Sequence, residues 1–273
     1  MLYRKKPTIA IVLAGGYGRR IHKVSERYGC KSLIPVDGKP LLAHVLSSLL
    51  SVHRGKIVVC VDREELLSTF ESLIDDFNNK QLCLFNDSGP GSTIAIVREV
   101  SAWLGPSSMC TIYGHQPIPP SHFRRMLSLE DTTLGLSVYG SSSALTRKVL
   151  VSNGERILDV CGVSEDCYEK DTSYVAIPYM LPMKLVENTV GGKVNTLTTF
   201  SNWIKRGLPV KAISACLPHE FHREDELNLV RCYVNNQYGN LGIVSRKGLY
   251  SSKLTLTSHC SERVPQDTFS DER

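Results

Sequence analysis

The sequence carries nine cysteines but no pair at the CxxC spacing. They stand apart at positions 30, 60, 83, 110, 161, 167, 216, 232 and 260. An odd, scattered set gives neither a disulfide framework nor a zinc ribbon. Cys60, Cys83 and Cys110 fall inside short apolar runs, where a free thiol acts as a small hydrophobe. No apolar run approaches the ~20 residues of a membrane helix. The stretch IAIVLA, which follows the basic residues Arg4, Lys5 and Lys6, is too short for the apolar part of a secretory leader. No block of like charge stands out beyond that cluster: 32 Lys and Arg against 27 Asp and Glu leave a net charge of +5. A free nucleic-acid binder gathers its charge into a patch or tail. These absences predict a reduced, cytoplasmic protein that binds neither nucleic acid nor a membrane. No internal repeat and no linker divides the 273 residues.

What is present is an alternation of two periods. TIAIVLA, KIVVCV, QLCLF and MCTIY are short apolar runs that read as buried strands. Between them, apolar residues at 41, 42, 45, 46, 49 and 50, and again at 66, 67, 70, 73, 74 and 77, recur at helical spacing. Pro40 suits the first turn of one helix, and Ser92 can cap another through TIAIVREVSAWL. Strand and helix in turn predict an α/β fold: a mixed, mostly parallel sheet with helices on both faces, in three layers. The second half changes character. Asn153-Gly154 between apolar runs signals a hairpin. SYVAIPYML and PVKAISA read as strands, TLTTFSNWIKRG as a helix ending at Gly207, and EDELNLVRCYV as a late helix whose first acids meet the positive end of its dipole. We expect one domain over residues 1–237 and an extension over 238–273, with a flexible tail from about 259. His44 reads as a solvated residue on a helix's polar face, and Trp103 and Trp203 read as core.

The chemistry concentrates where the first strand ends. IAIVLAGGYGRR breaks from apolar residues into Gly15, Gly16 and Gly18, followed by Arg19, Arg20 and, further on, Lys31. Small residues at a strand end let backbone amides approach an anion. The dinucleotide fingerprint is excluded because Ile21 stands where its third glycine belongs. The phosphate loop of the nucleoside triphosphatases is excluded because Pro40 follows Gly38-Lys39. GGxG alone is also the mark of a turn, and Lys31 also has the reading of a surface lysine before a strand.

Taken together, LAGGYGRRI…CKSLIPVDGKPLL resembles the signature of the nucleotidyltransferase superfamily, LAGGxGTRL…PKxLLPVxGKPLL, which includes the sugar-1-phosphate nucleotidyltransferases and the molybdenum-cofactor transferases. NDSGPGSTIAI, TIYGHQPIPPSHF and LPHEFHREDELNLV resemble later family segments in the same order, so the likeness spans roughly residues 7 to 235. The resemblance implies a Rossmann-like fold of the GT-A type. It also implies transfer of an NMP group from an NTP to a phosphorylated sugar or similar small acceptor, with release of pyrophosphate. Leu13, Ala14, Gly15, Gly16 and Gly18 would bind the nucleotide, with Gly91 and Ser92 on its base. Arg20 and Lys31 would be catalytic, neutralising the pyrophosphate and the α-phosphate. His115 and Gln116 would lie at the substrate. A homo-oligomer is compatible with the sequence.

Two positions depart from the family. His115 stands where the family's GDxP has the Asp that holds Mg²⁺, and His222 falls where a second metal ligand is expected. Magnesium is hard and favours oxygen, whereas neutral imidazole brings no charge and suits softer metals. Three explanations follow: another divalent metal held by His115 and His222, substitution by acids such as Asp87 or Asp225, or a catalytically silent homologue that binds nucleotide or sugar phosphate as a regulatory or scaffold module. A glycosyltransferase-like user of nucleotide sugars would want an Asp-x-Asp motif, which the sequence lacks. Arg19 replaces the family's Thr and reads equally as a solvated cation. Cys30 replaces its Pro.

Overall fold

The computed structural model describes residues 8–16, 22–87, 92–139, 148–153, 156–162, 173–187, 195–215 and 224–238. At its centre lies β1 (Ile9–Leu13), all apolar, with parallel neighbours on both sides: β4 (Ile57–Val61) and β6 (Met109–Tyr113). β5 (Leu82–Asn86) adds a further parallel strand beyond β4. On the other side of β6, β10 (Ser173–Leu181) runs antiparallel. β7 (Leu134–Tyr139) follows, also antiparallel to β10, and β11 (Val210–Ser214) lies parallel to β7 at the edge. The main path is β11-β7-β10-β6-β1-β4-β5. β8 (Lys148–Asn153) branches from β10 and carries β9 (Arg156–Gly162). The hairpin signalled at Asn153-Gly154 is present, with Asn153 opposite Arg156.

The period-2 pattern of β1 decides the layers. Ala10, Val12 and Ala14 face one core with Leu42, Leu46 and Leu49 of α2 (Leu41–Leu50), Phe70 of α3 (Leu67–Asp75), and Phe123 and Met126 of α5 (Pro120–Leu127). Ile9 and Ile11 face the other, with Ile94, Val97 and Val100 of α4 (Thr93–Leu104), Leu185 of α6 (Met183–Glu187), and Phe200 and Trp203 of α7 (Thr196–Lys205). The sheet is therefore covered on both faces, as the alternation predicts. Before α2 the chain makes α1 (His22–Tyr28), a 3-10 turn (Lys31–Leu33) and a two-strand ribbon of β2 (Pro35–Val36) and β3 (Lys39–Pro40). A third cluster joins Ile34, Val36 and Leu41 to Leu227, Val230 and Val234 of the last described helix, α8 (Glu224–Tyr238).

Two expectations fail. His44 is not solvated: it is 5% exposed, and its Nε2 lies 2.8 Å from the carbonyl of Val36. The ribbon before α2 covers the face that periodicity alone assigns to water. Trp103 is not core. It is 50% exposed and lies against Phe85 with ring centroids 5.5 Å apart, whereas Trp203 is buried and donates its Nε1–H to the carbonyl of Pro209 at 2.9 Å. The strand thiols behave as expected: Cys60 and Cys110 are buried, and burial pushes the Cys110 thiol up to about 12. Among the described residues no helix is long and apolar enough to cross a membrane. The described elements belong to a compact unit of Met1–Gln237, apart from the last residue of α8, Tyr238.

Candidate active site

Connections from β1 run first toward β4 and β5, then return across β1 to β6. The direction of winding reverses between β1 and β6, and such a switch point is where open α/β sheets place their ligand crevice. The glycine turn after β1 and the Gly114-His115-Gln116 turn after β6 both lie at this crevice. They are fastened together: the Gly114 N–H donates to the carbonyl of Leu13 at 2.8 Å. A Cβ on Gly114 would come within 3.2 Å of the Cα of Ala14 and 2.9 Å of the Ser32 Oγ. Only a residue without a side chain permits that approach.

On the opposite flank of β1 the fit is equally close. A Cβ on Gly15 would collide with Asp62, which follows β4. The Gly15 backbone is buried under that side chain. Gly16, one residue on, is exposed, with nothing within 4 Å of an added Cβ. The Ala14 N–H donates to the carbonyl of Cys60 at 2.9 Å, so it serves the sheet. The amides of Gly15 and Gly16 remain as the candidate anion donors. The Asp62 carboxyl is raised above the ordinary carboxylate range, chiefly because packing strips water from it, while Arg63 beside it pulls the other way. Sequence reading missed Asp62. Its signal was an acid immediately after a fully apolar strand, the place where α/β sheets carry ligand-contacting groups.

Lys31 opens the 3-10 turn and is only 6% exposed, which removes the surface-lysine reading. Its neighbour Ser32 lies against Gly114, so the turn is seated on the crevice. The segment leading into it is held from β4: the Arg63 guanidinium donates to the carbonyl of Gly29 and pairs with Glu65 at 2.7 Å. On the β6 side His115 and Gln116 are both buried, and the His115 ring stacks on Tyr113 with centroids 5.1 Å apart and planes 21° apart. Asp87 is buried at the end of β5, its N–H donating to the carbonyl of Val61 at 2.8 Å. Ser92 caps α4 as its sequence position predicts, its Oγ accepting from the Ala95 N–H at 3.3 Å.

The structure thus brings Leu13, Ala14, Gly15, Gly16, Lys31, His115 and Gln116 to one crevice. Gly18, Arg19, Arg20, Gly91, His222 and Asp225's side chain lie outside the described residues, as does the tail from about 259.

Residues 10–139 match the family described as the MobA-like NTP transferase domain. That span runs from β1 through β7 and includes both walls of the crevice. Residues 10–139 belong to the nucleotidyltransferase superfamily. Solved structures agree with this in fold over most of the chain. A Bacillus anthracis protein assigned as a glucose-1-phosphate thymidylyltransferase, solved with sucrose, superposes with a TM-score of 0.68 at 14% identity, over 84% of this chain and 96% of that one. A nucleotidyl transferase from Methanothermobacter thermautotrophicus superposes with a TM-score of 0.60 at 14% identity, over 85% and 99%. No curated protein matches the chain in sequence. At this identity the structural likeness speaks for the nucleotidyltransferase fold and leaves substrates to the site itself.

The superfamily's usual divalent metal can be tested against the donors present. The position of its first carboxylate holds an imidazole stacked on Tyr113. Among the described residues no three His, Cys, Asp or Glu side chains gather as one ion would require. A hard, oxygen-seeking cation finds no resident site in that set.

Proposed function

We propose that this nucleotidyltransferase fold transfers an NMP group from an NTP to a phosphorylated sugar or a similarly small phosphorylated acceptor, releasing pyrophosphate. The observation that carries the reading is the switch point itself, where the exposed Gly16 follows β1 and the buried Lys31 opens a turn whose Ser32 packs against Gly114 after β6. The triphosphate lies along the amides of Gly15 and Gly16, with Gly18 and Arg20 continuing the cradle and Gly91 and Ser92 flanking the base. An acceptor phosphate oxygen attacks the α-phosphorus in line, the bond to the β-phosphate oxygen breaks, and pyrophosphate departs with the electron pair. Lys31 neutralises charge gathering on the α-phosphate, and Arg20 that on the leaving pyrophosphate. His115 and Gln116 close the acceptor side. Because the described donors do not suit a resident Mg²⁺, no step is routed through a protein-held metal. A divalent cation that arrives on the NTP counts as part of the substrate.

The test is pyrophosphate release from ATP, CTP, GTP and UTP, each offered with a panel of sugar-1-phosphates. Release that depends on both partners is expected. Ligand-dependent thermal stabilisation without turnover would replace the reading with its rival, a silent homologue that binds nucleotide or sugar phosphate in a regulatory role. The imidazole in the carboxylate's place favours that rival. His115→Asp separates the two: a gain of Mg²⁺-dependent turnover marks a disarmed site, and loss of existing turnover marks a working His115.

A further inference from the structure

Ser32 carries a hydroxyl that the fold leaves unused. The residue is 1% exposed, and its Oγ is buried with no hydrogen-bond partner. Leaving such a group unsatisfied costs stability, so native proteins seldom keep one without a use. Alanine would fit the same space without that cost. The position explains what the use is. Ser32 follows Lys31 directly, and its Oγ sits over Gly114 beside Ala14, where the ends of β1 and β6 meet. The hydroxyl therefore lies packed at the switch point, one residue after Lys31 and against the backbone where the ends of β1 and β6 meet.

We propose that Ser32 is a substrate-binding residue: its Oγ–H donates to a phosphate oxygen of the bound nucleotide, the oxygen whose charge Lys31 neutralises. The inference rests on the nucleotide reading of the crevice and deepens it. A hydroxyl has one rotor, so it turns from Gly114 toward a ligand at almost no cost in side-chain entropy. A neutral donor beside an ammonium gives direction to a contact that the ammonium, a point charge on a flexible stem, supplies without direction. The ligand then satisfies the orphaned group, and affinity gains what the empty protein forgoes.

The experiment compares the full chain with its Ser32→Ala variant, by thermal melting and titration calorimetry against ATP, CTP, GTP, UTP and inorganic tripolyphosphate. The expected result is crossed. The variant alone melts at or above the wild-type temperature, because an unsatisfied hydroxyl is gone, yet its Kd for whichever probe binds wild type rises about tenfold or more. Ser32→Cys, which keeps the size but donates weakly, shows the same loss. Equal affinity in wild type and variants overturns the proposal for Ser32 alone. So does a variant that melts several degrees lower with affinity unchanged, which marks a structural serine. If no probe binds wild type, the nucleotide reading fails and this inference fails with it.

Discussion

An ammonium withdrawn from water is costly unless an anion or dipoles meet it. Lys31 is buried in the 3-10 turn at the switch point, and the proposed reading gives it the charge on the α-phosphate to neutralise. Lys31→Met keeps the stem and removes the charge. We expect turnover to drop about 10²–10³-fold in a pyrophosphate-release assay, with a melting temperature close to wild type. The two glycines of the turn separate by substitution. Gly15→Ala drives a methyl into Asp62 and should cost about 1–3 kcal/mol in a denaturant titration. Gly16→Ala meets nothing within 4 Å and should leave stability nearly unchanged, while lowering nucleotide affinity if the backbone there faces phosphate. The sequence announces both glycines equally. It does not show that one is needed for packing and the other for access, because the difference lies in Asp62, which comes from another strand.

At the scale of elements, α5 is joined to the sheet by a buried polar chain. The Ser137 Oγ–H donates to the carbonyl of Pro178 at 2.8 Å, and the His122 Nε2 stands 2.8 Å from that same Oγ. Since the hydroxyl proton is committed to Pro178, His122 must hold its own proton on Nε2 and donate. Burial lowers His122 to about 4, with the nearby Arg125 acting in the same direction. An unfolded chain takes up this proton near 6.5, so between about pH 6.5 and 4 the unfolded state binds more protons and acid favours unfolding. The fold should hold its full stability above about pH 6.5 and lose about 3 kcal/mol on descent to pH 4. His53, also lowered by burial, adds to the same trend. In urea melts across that range, His122→Gln should flatten the slope. Helices and strands with strong periodicity, such as α2, α4 and β4, were legible from the sequence. β7 and α5 were not. LGLSVY interrupts its alternation with Gly135 and the bonded Ser137, and PSHFRRML places a histidine at a core position where only the Ser137 hydroxyl makes it acceptable. The same blindness to tertiary partners misplaced His44 and Trp103.

At the scale of the whole molecule, the crevice exists because strand order reverses at β1, and no local pattern in the sequence encodes that reversal. The alternation foretold the layers, and the resemblance supplied the signature residues. Their convergence on one site depends on β6 returning beside β1. If a nucleotide binds there and not to the unfolded chain, saturation at about 100 times its Kd should add about 2.7 kcal/mol, read as a rise of about 5–11 °C in melting temperature. Substitution of Leu227 by Ala in the third cluster should cost about 2–5 kcal/mol and lower that ligand response as well, because α8 covers the ribbon that follows Lys31. The placement of α8 also sets an order of assembly during translation. When β11 has left the ribosome, both faces of the sheet have their partners, yet Ile34, Val36 and Leu41 still await Leu227, Val230 and Val234. The lysine-bearing segment, though made among the first, thus gains its last packing partners in this cluster only once residues 224–238 have emerged.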